Sequence, residues 1–320
     1  GYVYEIVARP KNEIISDEPT IDKDVTSLGQ NSDTKDVGET VNWIINSYIP
    51  SDIKDGISYV ITDDVDTRLG TPSNIVVNVA SATATDVLVA LVANVDYVAK
   101  VENNTLTITL TKAGMKKIAD AVGANVADYV IRVTFDTVLT TSATLGENIP
   151  NDATVTYENS VGFDFTKESE EVEVHTGGLQ IDKVNDAGEA LAGAKFKIVR
   201  VATEAEIADE NIEKIVIGGV SYVYVDFYAT SDMSGEKVYE VTTDADGKAL
   251  IYGLAYGEYK IIETVAPEGY NLLRDPIDVT IGATSHLDEN SVEVVNINKF
   301  TLPSTGGIGT TIFTVSGLIL

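Results

Sequence analysis

The chain is expected to be an all-β protein of tandem immunoglobulin-like β-sandwiches with one short helix, and three features of the sequence lead there. First, apolar residues recur with period two, as in Leu106, Ile108, Leu110 and again in Ile131, Val133, Phe135, the spacing of a half-buried strand. Second, turns rich in Gly, Asp and Asn separate these runs at short intervals, which favours hairpin-connected sandwiches over a parallel sheet. Third, only 112–121 carries a credible helical pattern, with Thr111 positioned as its N-cap.

Composition narrows the function. The 320 residues are enough for two or three domains with their own cores. Fifty acids against 22 bases leave a net charge of -28, so the basic footprint of a nucleic-acid binder is missing. With no cysteine and only two histidines, His175 and His286, disulfides, thiolate chemistry, a His-based triad and a zinc centre have almost nothing to build on. No Gly-rich phosphate loop or nucleophile elbow stands out, and no cofactor or metal is expected. The Asp244-Ala245-Asp246-Gly247 run has part of an EF-hand spacing without its downstream Glu, and reads as a hairpin turn.

Along the chain, the expected divisions are an opening segment and linker over 1–19, a first sandwich over 20–165 and a linker over 166–178. A second sandwich over 179–300 and a final segment over 301–320 follow. An acidic strip (Glu168-Ser169-Glu170-Glu171) starts the linker and Gly177-Gly178 is its expected hinge. The apolar end is shorter than the roughly 20 residues of a spanning helix, so the natural precursor is expected to be longer at both ends.

In the second sandwich, polar residues stand where the alternation demands apolar ones. Leu179, Ile181 and Lys183 share one strand face; Tyr259, Ile261 and Glu263 share another; Val292, Val294 and Asn296 share a third. Burial favours the neutral, nucleophilic form of an amine and the protonated form of a carboxyl group. The run Tyr259-Lys260-Ile261-Ile262-Glu263-Thr264-Val265-Ala266-Pro267-Glu268-Gly269-Tyr270 closely resembles the E-box of the CnaB-like domains of Gram-positive sortase-assembled pilins. Gln180-Ile181-Asp182-Lys183, Leu191-Ala192-Gly193-Ala194-Lys195-Phe196 and Val294-Val295-Asn296 occur in that family's order. The resemblance implies an isopeptide bond from Lys183 to Asn296, formed with loss of ammonia and assisted by Glu263.

The first sandwich offers a second set. Ile21, Lys23 and Val25 alternate at its start, Tyr59, Ile61, Asp63 and Val65 in its middle, and Ala153, Val155, Tyr157, Asn159 and Val161 at its end. The layout is similar to the CnaA-like middle domain of backbone pilins, where a Lys, an Asn and an acid make the same bond. That similarity implies Lys23, Asn159 and Asp63; Asp64 and Asp66 are rivals for the acid that the alternation disfavours.

Two terminal motifs complete the resemblance. Leu302-Pro303-Ser304-Thr305-Gly306 before an apolar run resembles the LPXTG sorting signal, which a sortase cuts between Thr305 and Gly306. Tyr2-Val3-Tyr4-Glu5-Ile6-Val7-Ala8-Arg9-Pro10-Lys11-Asn12 resembles the pilin motif, whose Lys accepts the cut Thr of the next subunit. Tyr2, Ala8 and Arg9 depart from that pattern. Together these imply an extracellular, wall-anchored backbone pilin that is a substrate rather than an enzyme. Its implied partners are a pilus-specific class C sortase, identical subunits, minor pilins and peptidoglycan, with no nucleic acid. In that family a further domain precedes the pilin motif. The alternative is a monomeric LPXTG-anchored adhesin; a surface enzyme would need a catalytic pocket the sequence does not offer.

Overall fold

The computed structural model describes residues 19–299, and they form tandem β-sandwiches. In the first, one sheet orders the strands Ile21–Val25, Thr40–Tyr48, Tyr129–Val138, Ser73–Ser81 and Val87–Ala90, every neighbouring pair antiparallel. It faces a second antiparallel sheet of Asp164–Glu168, Thr154–Glu158, Ser58–Asp64, Thr105–Leu110 and Tyr97–Glu102. Inward residues interdigitate between them, with Trp43, Tyr59, Phe135 and Tyr157 among the fully buried. The helix is Lys112–Val122, and the Thr111 side chain accepts a hydrogen bond from Gly114 N, as its N-cap position requires.

The second sandwich packs a three-stranded sheet, Lys248–Leu254, Gly177–Asn185 and Val292–Asn296, on a larger one. The larger sheet runs Lys214–Ile217, Val220–Tyr224, Lys195–Val201, Gly257–Val265 and Ile277–Ile281, and Val241–Thr242 joins the Lys195–Val201 strand. Its core is separate, centred on Phe196, Ile198, Phe227, Ile251 and Ile261. Alternation alone suggests only hairpins, yet Gly177–Asn185 and Val292–Asn296 run parallel, with Lys183 opposite Val294 and Asn185 opposite Asn296. That pairing brings the first and last strands of the sandwich side by side.

The expected linker is largely structured. Val172–His175 pairs with Ile149–Asn151 and, in parallel, with Ser32–Thr34, and both Val172 and Val174 are buried in the first core. Gly177 and Gly178 are not a hinge; they are buried at the start of a strand. A Cβ at Gly178 would stand 2.4 Å from Tyr252 Cδ1 and 3.0 Å from Ile251 O. Glycine is therefore required for close packing at the junction between the halves. There Val37 N donates to Gly253 O at 2.9 Å, and Asp36 and Thr34 side chains accept from Ala255 N and Tyr256 N. Gly178→Ala is expected to destabilise the fold by about 1–3 kcal/mol, read as a lower denaturation midpoint, while an alanine at Gly282, where nothing lies within 4 Å of a Cβ, costs less.

Candidate cross-linking sites

The second-sandwich site assembles from three strands. Parallel register sets Asn296 two residues beyond Val294, the partner of Lys183, on the same face of the sheet. Glu263 reaches this face from the opposing sheet. Lys183 and Asn296 are fully buried and Glu263 is 5% exposed. One oxygen of Glu263 accepts from Asn296 Nδ2 at 2.8 Å and the other from Leu273 N at 2.8 Å, so the carboxyl group is fixed on the amide. The Lys183 amine donates to Val294 O at 2.7 Å and to Val184 O at 3.3 Å, and touches no carboxylate. Burial lowers its pKa from 10.5 to about 8, opposed by the charge of Glu263. Asn296 Oδ1 is buried without a hydrogen-bond partner. An orphaned amide oxygen costs stability, and it leaves the carbonyl free to accept a proton or hydrogen bond as an amine adds.

In the first sandwich, Lys23 from the Ile21–Val25 strand meets Asp63 from Ser58–Asp64, both 1% exposed, in a short ion pair. Burial pulls Lys23 below its usual range and pushes Asp63 above its own; the mutual attraction opposes both shifts. The rings of Trp43 and Phe135 stand 5.1 and 5.7 Å from the amine. Lys23 Nζ also donates to Asp152 O at 3.2 Å.

The amide beside this pair is Asn151, not Asn159. Asn151 ends the Ile149–Asn151 strand and is 2% exposed, and its carboxamide approaches Asp63 closely enough to favour the carboxylate. Neither its Oδ1 nor its Nδ2 has a hydrogen bond of normal geometry, and Asp63 Oδ1 also lacks one. Asn159 lies past the end of Thr154–Glu158, where its Oδ1 accepts from Val161 N and Phe163 N and closes a turn. Thr154 pairs with Thr62, next to Asp63; at about 3.3 Å per residue, Asn159 lies some 15 Å or more along the strand from the ion pair. Alternation carried the reading one turn too far. Extending the same inward phase backwards from Ala153 reaches Asn151, a signal masked by the turn-like Pro150 and Asp152.

The rival acids lie elsewhere. Asp64 is exposed and accepts from Thr105 Oγ1, and Asp66 accepts from Arg68 N and pairs with the Arg68 side chain. Asp244 accepts from Asp246 N and Lys248 N, closing a turn, and no group of His, Asp and Glu suited to a metal occurs among the described residues. Lys11, Leu302, Pro303, Thr305 and Gly306 fall outside the described residues.

Comparison with known proteins agrees with this geometry at the level of fold. Residues 177–297 match the SpaA family, described as a prealbumin-like fold domain. The 35 kDa C-terminal fragment of the major pilin GBS80 of Streptococcus agalactiae is 24% identical, with a TM-score of 0.66 over 88% of this chain and 100% of that one. BcpA, the major pilin subunit of Bacillus cereus, is 24% identical with a TM-score of 0.58, over 89% and 71%. The full-length major pilin RrgB of Streptococcus pneumoniae is 16% identical with a TM-score of 0.59, over 88% and 74%. No curated protein matches the chain. Residues 177–297 thus carry a prealbumin-like SpaA domain, and the described chain shares the tandem-sandwich fold of these major pilins.

The lowered Lys183 pKa has a definite sign. An unlinked fold holds the amine neutral above about pH 8, whereas the unfolded chain keeps its proton up to about 10.5, so stability rises with pH between those values and the cost is fully present below about 8. Denaturant titrations of Asn296→Ala across that window are expected to show this rise, and Asn296→Ala combined with Lys183→Met is expected to lack it.

Proposed function

We propose that the chain is the structural backbone subunit of a covalent Gram-positive surface pilus. A pilus-specific sortase joins Thr305 of one subunit to Lys11 of the next, and intramolecular isopeptide bonds Lys183–Asn296 and Lys23–Asn151 reinforce each subunit. The observation that carries the reading is the repeated burial of an amine, a carboxyl group and an under-bonded carboxamide, once in each sandwich. The E-box run, the sorting-signal and pilin-motif sequences and the fold shared with major pilins support it.

The chemistry follows from the groups present. A neutral Lys Nζ attacks the Asn Cγ, and the former carbonyl oxygen takes up negative charge or a proton. The neighbouring acid, Glu263 or Asp63, moves a proton from the incoming nitrogen to the departing one. The Cγ–Nδ2 bond breaks, ammonia leaves and an amide remains. In the first sandwich, transfer of the shared proton from Lys23 to Asp63 would generate both the nucleophile and the protonated acid in one step. Each bond closes a loop of more than a hundred residues, worth roughly 4–5 kcal/mol by the loop-entropy relation used for disulfides.

Intact mass spectrometry is expected to find the protein lighter than its sequence by two ammonia molecules. Glu263→Ala or Asn151→Ala should restore one of them, and Asn159→Ala neither; an unmodified wild-type mass sinks both bonds. Independently, Lys11→Ala should abolish the ladder of covalent multimers formed with the cognate sortase. A monomeric adhesin would give no ladder even with Lys11 present.

A further inference from the structure

Asn296 occupies a weakly held point of the fold. It is the last residue of Val292–Asn296, and that strand lies at the edge of its sheet with only Gly177–Asn185 beside it. Strand ends fray at little cost, yet an amine adds to a carboxamide only when both are held close to the reacting geometry. What holds this end is the segment 269–273, which follows the Glu263 strand. Tyr270 N donates to Pro267 O at 3.1 Å and Gly269 takes φ +86°, a left-handed value that suits glycine in a tight turn. The turn folds the chain back onto residues 297–299. Asn271 N donates to Ile297 O at 3.0 Å, Asn271 Nδ2 to Asn298 O at 3.2 Å and Lys299 N to Gly269 O at 2.8 Å, and Tyr270 bridges Asn298. The same segment reaches the other two reactants. Leu273 N donates to one oxygen of Glu263 at 2.8 Å. The Tyr270 hydroxyl accepts from Asn185 Nδ2 at 3.3 Å, and Asn185 shares a strand and a face with Lys183. Asn185 is itself fixed, because its Oδ1 accepts from Ala187 N and Glu189 N and its Nδ2 also donates to Glu189.

We infer that Tyr270 and Asn271 form a clasp that sets Lys183, Glu263 and Asn296 in register for condensation, and that they are positioning residues of that reaction. The inference rests on the Lys183–Asn296 bond proposed above and adds to it residues that touch none of the reacting atoms. Asn271 grips the chain one and two positions beyond Asn296, Tyr270 grips the lysine strand two positions beyond Lys183, and Leu273 grips the acid. These offsets are short and lie on extended backbone, so a lost hydrogen bond passes to the reacting groups with little slack. The two sandwiches differ in their need for such a device. Lys23 and Asp63 already hold each other in an ion pair, whereas the Lys183 amine donates only to backbone carbonyls. Nothing in the amine's own contacts ties it to Glu263 or Asn296, and the clasp supplies that tie from outside.

The test follows both bonds in the full chain. Protein recovered from inclusion bodies in denaturant, checked to have its unmodified mass, is diluted into native buffer at a series of pH values, and the linked peptide pairs are quantified over time by mass spectrometry. Tyr270→Phe removes only the hydroxyl and Asn271→Ala only the side-chain donor; neither side chain belongs to the core of the sandwich, so neither change opens a cavity there. Each should slow formation of Lys183–Asn296 by ~10-fold or more, since an ångström of misplacement at a reacting centre can cost ~100-fold. Lys23–Asn151 in the same molecules should form at the wild-type rate. The pH midpoint of the slowed reaction should stay near the Lys183 value of about 8. A midpoint moved toward the ordinary lysine value of 10.5 means that the substitutions merely hydrate the amine, and it overturns the clasp. Slowing of both bonds marks a general folding defect and overturns it too, as do wild-type rates in both variants, which leave the bond itself standing. A wild-type chain that never loses ammonia from its second sandwich removes the bond, and the clasp with it.

Discussion

Dehydration of a lysine amine between two sheets is the constraint on which the rest of this molecule turns. An isolated buried ammonium is expensive, and a fold tolerates one only with compensating partners or by giving up the proton. Both sandwiches accept this cost on their first described strand, at Lys23 and Lys183, and they manage it differently. The first sets Asp63 directly against the amine. The second leaves Lys183 on backbone carbonyls and spends its acid, Glu263, on the amide of Asn296 and on Leu273 N. In the first case acid and base are already in contact; in the second the acid is held at the amide nitrogen of Asn296. Neither arrangement is a good way simply to fill a core, since apolar residues of similar size usually stabilise as well or better.

How legible all this was in the sequence depended on the range of the interaction. Alternation is a local property of the strand, so the inward phases of Lys183, Glu263, Asn296, Lys23 and Asp63 could be read from their own neighbours. Strand ends and partners are not local. Asn159 continues the phase of Tyr157, but its strand stops at Glu158 and its side chain is taken by a turn. Asn151 belongs to a three-residue strand whose sheet partner is the distant Val172–His175. The Gly177-Gly178 pair illustrates the same limit: glycine signals either freedom or close approach, and only the position of Tyr252 decides between them.

The two halves are joined by more than a tether. Tyr252 and Met233, both from the second half, are buried with the first core. Backbone and side-chain hydrogen bonds cross at Val37, Asp36 and Thr34. A Cβ at Gly178 would meet Tyr252, which packs in the first core, and the backbone of Ile251, which packs in the second.

The parallel pairing of Gly177–Asn185 with Val292–Asn296 also dictates how an axial pull is resisted. The chain enters this pair at one end and departs at the other, so drawing the termini apart slides one strand along its neighbour. Every rung of the ladder then shares the shear at once, whereas a hairpin drawn from its open end would peel rung by rung. The backbone geometry alone thus gives the sandwich its stiffer loading direction along the line from Gly177 to Asn296.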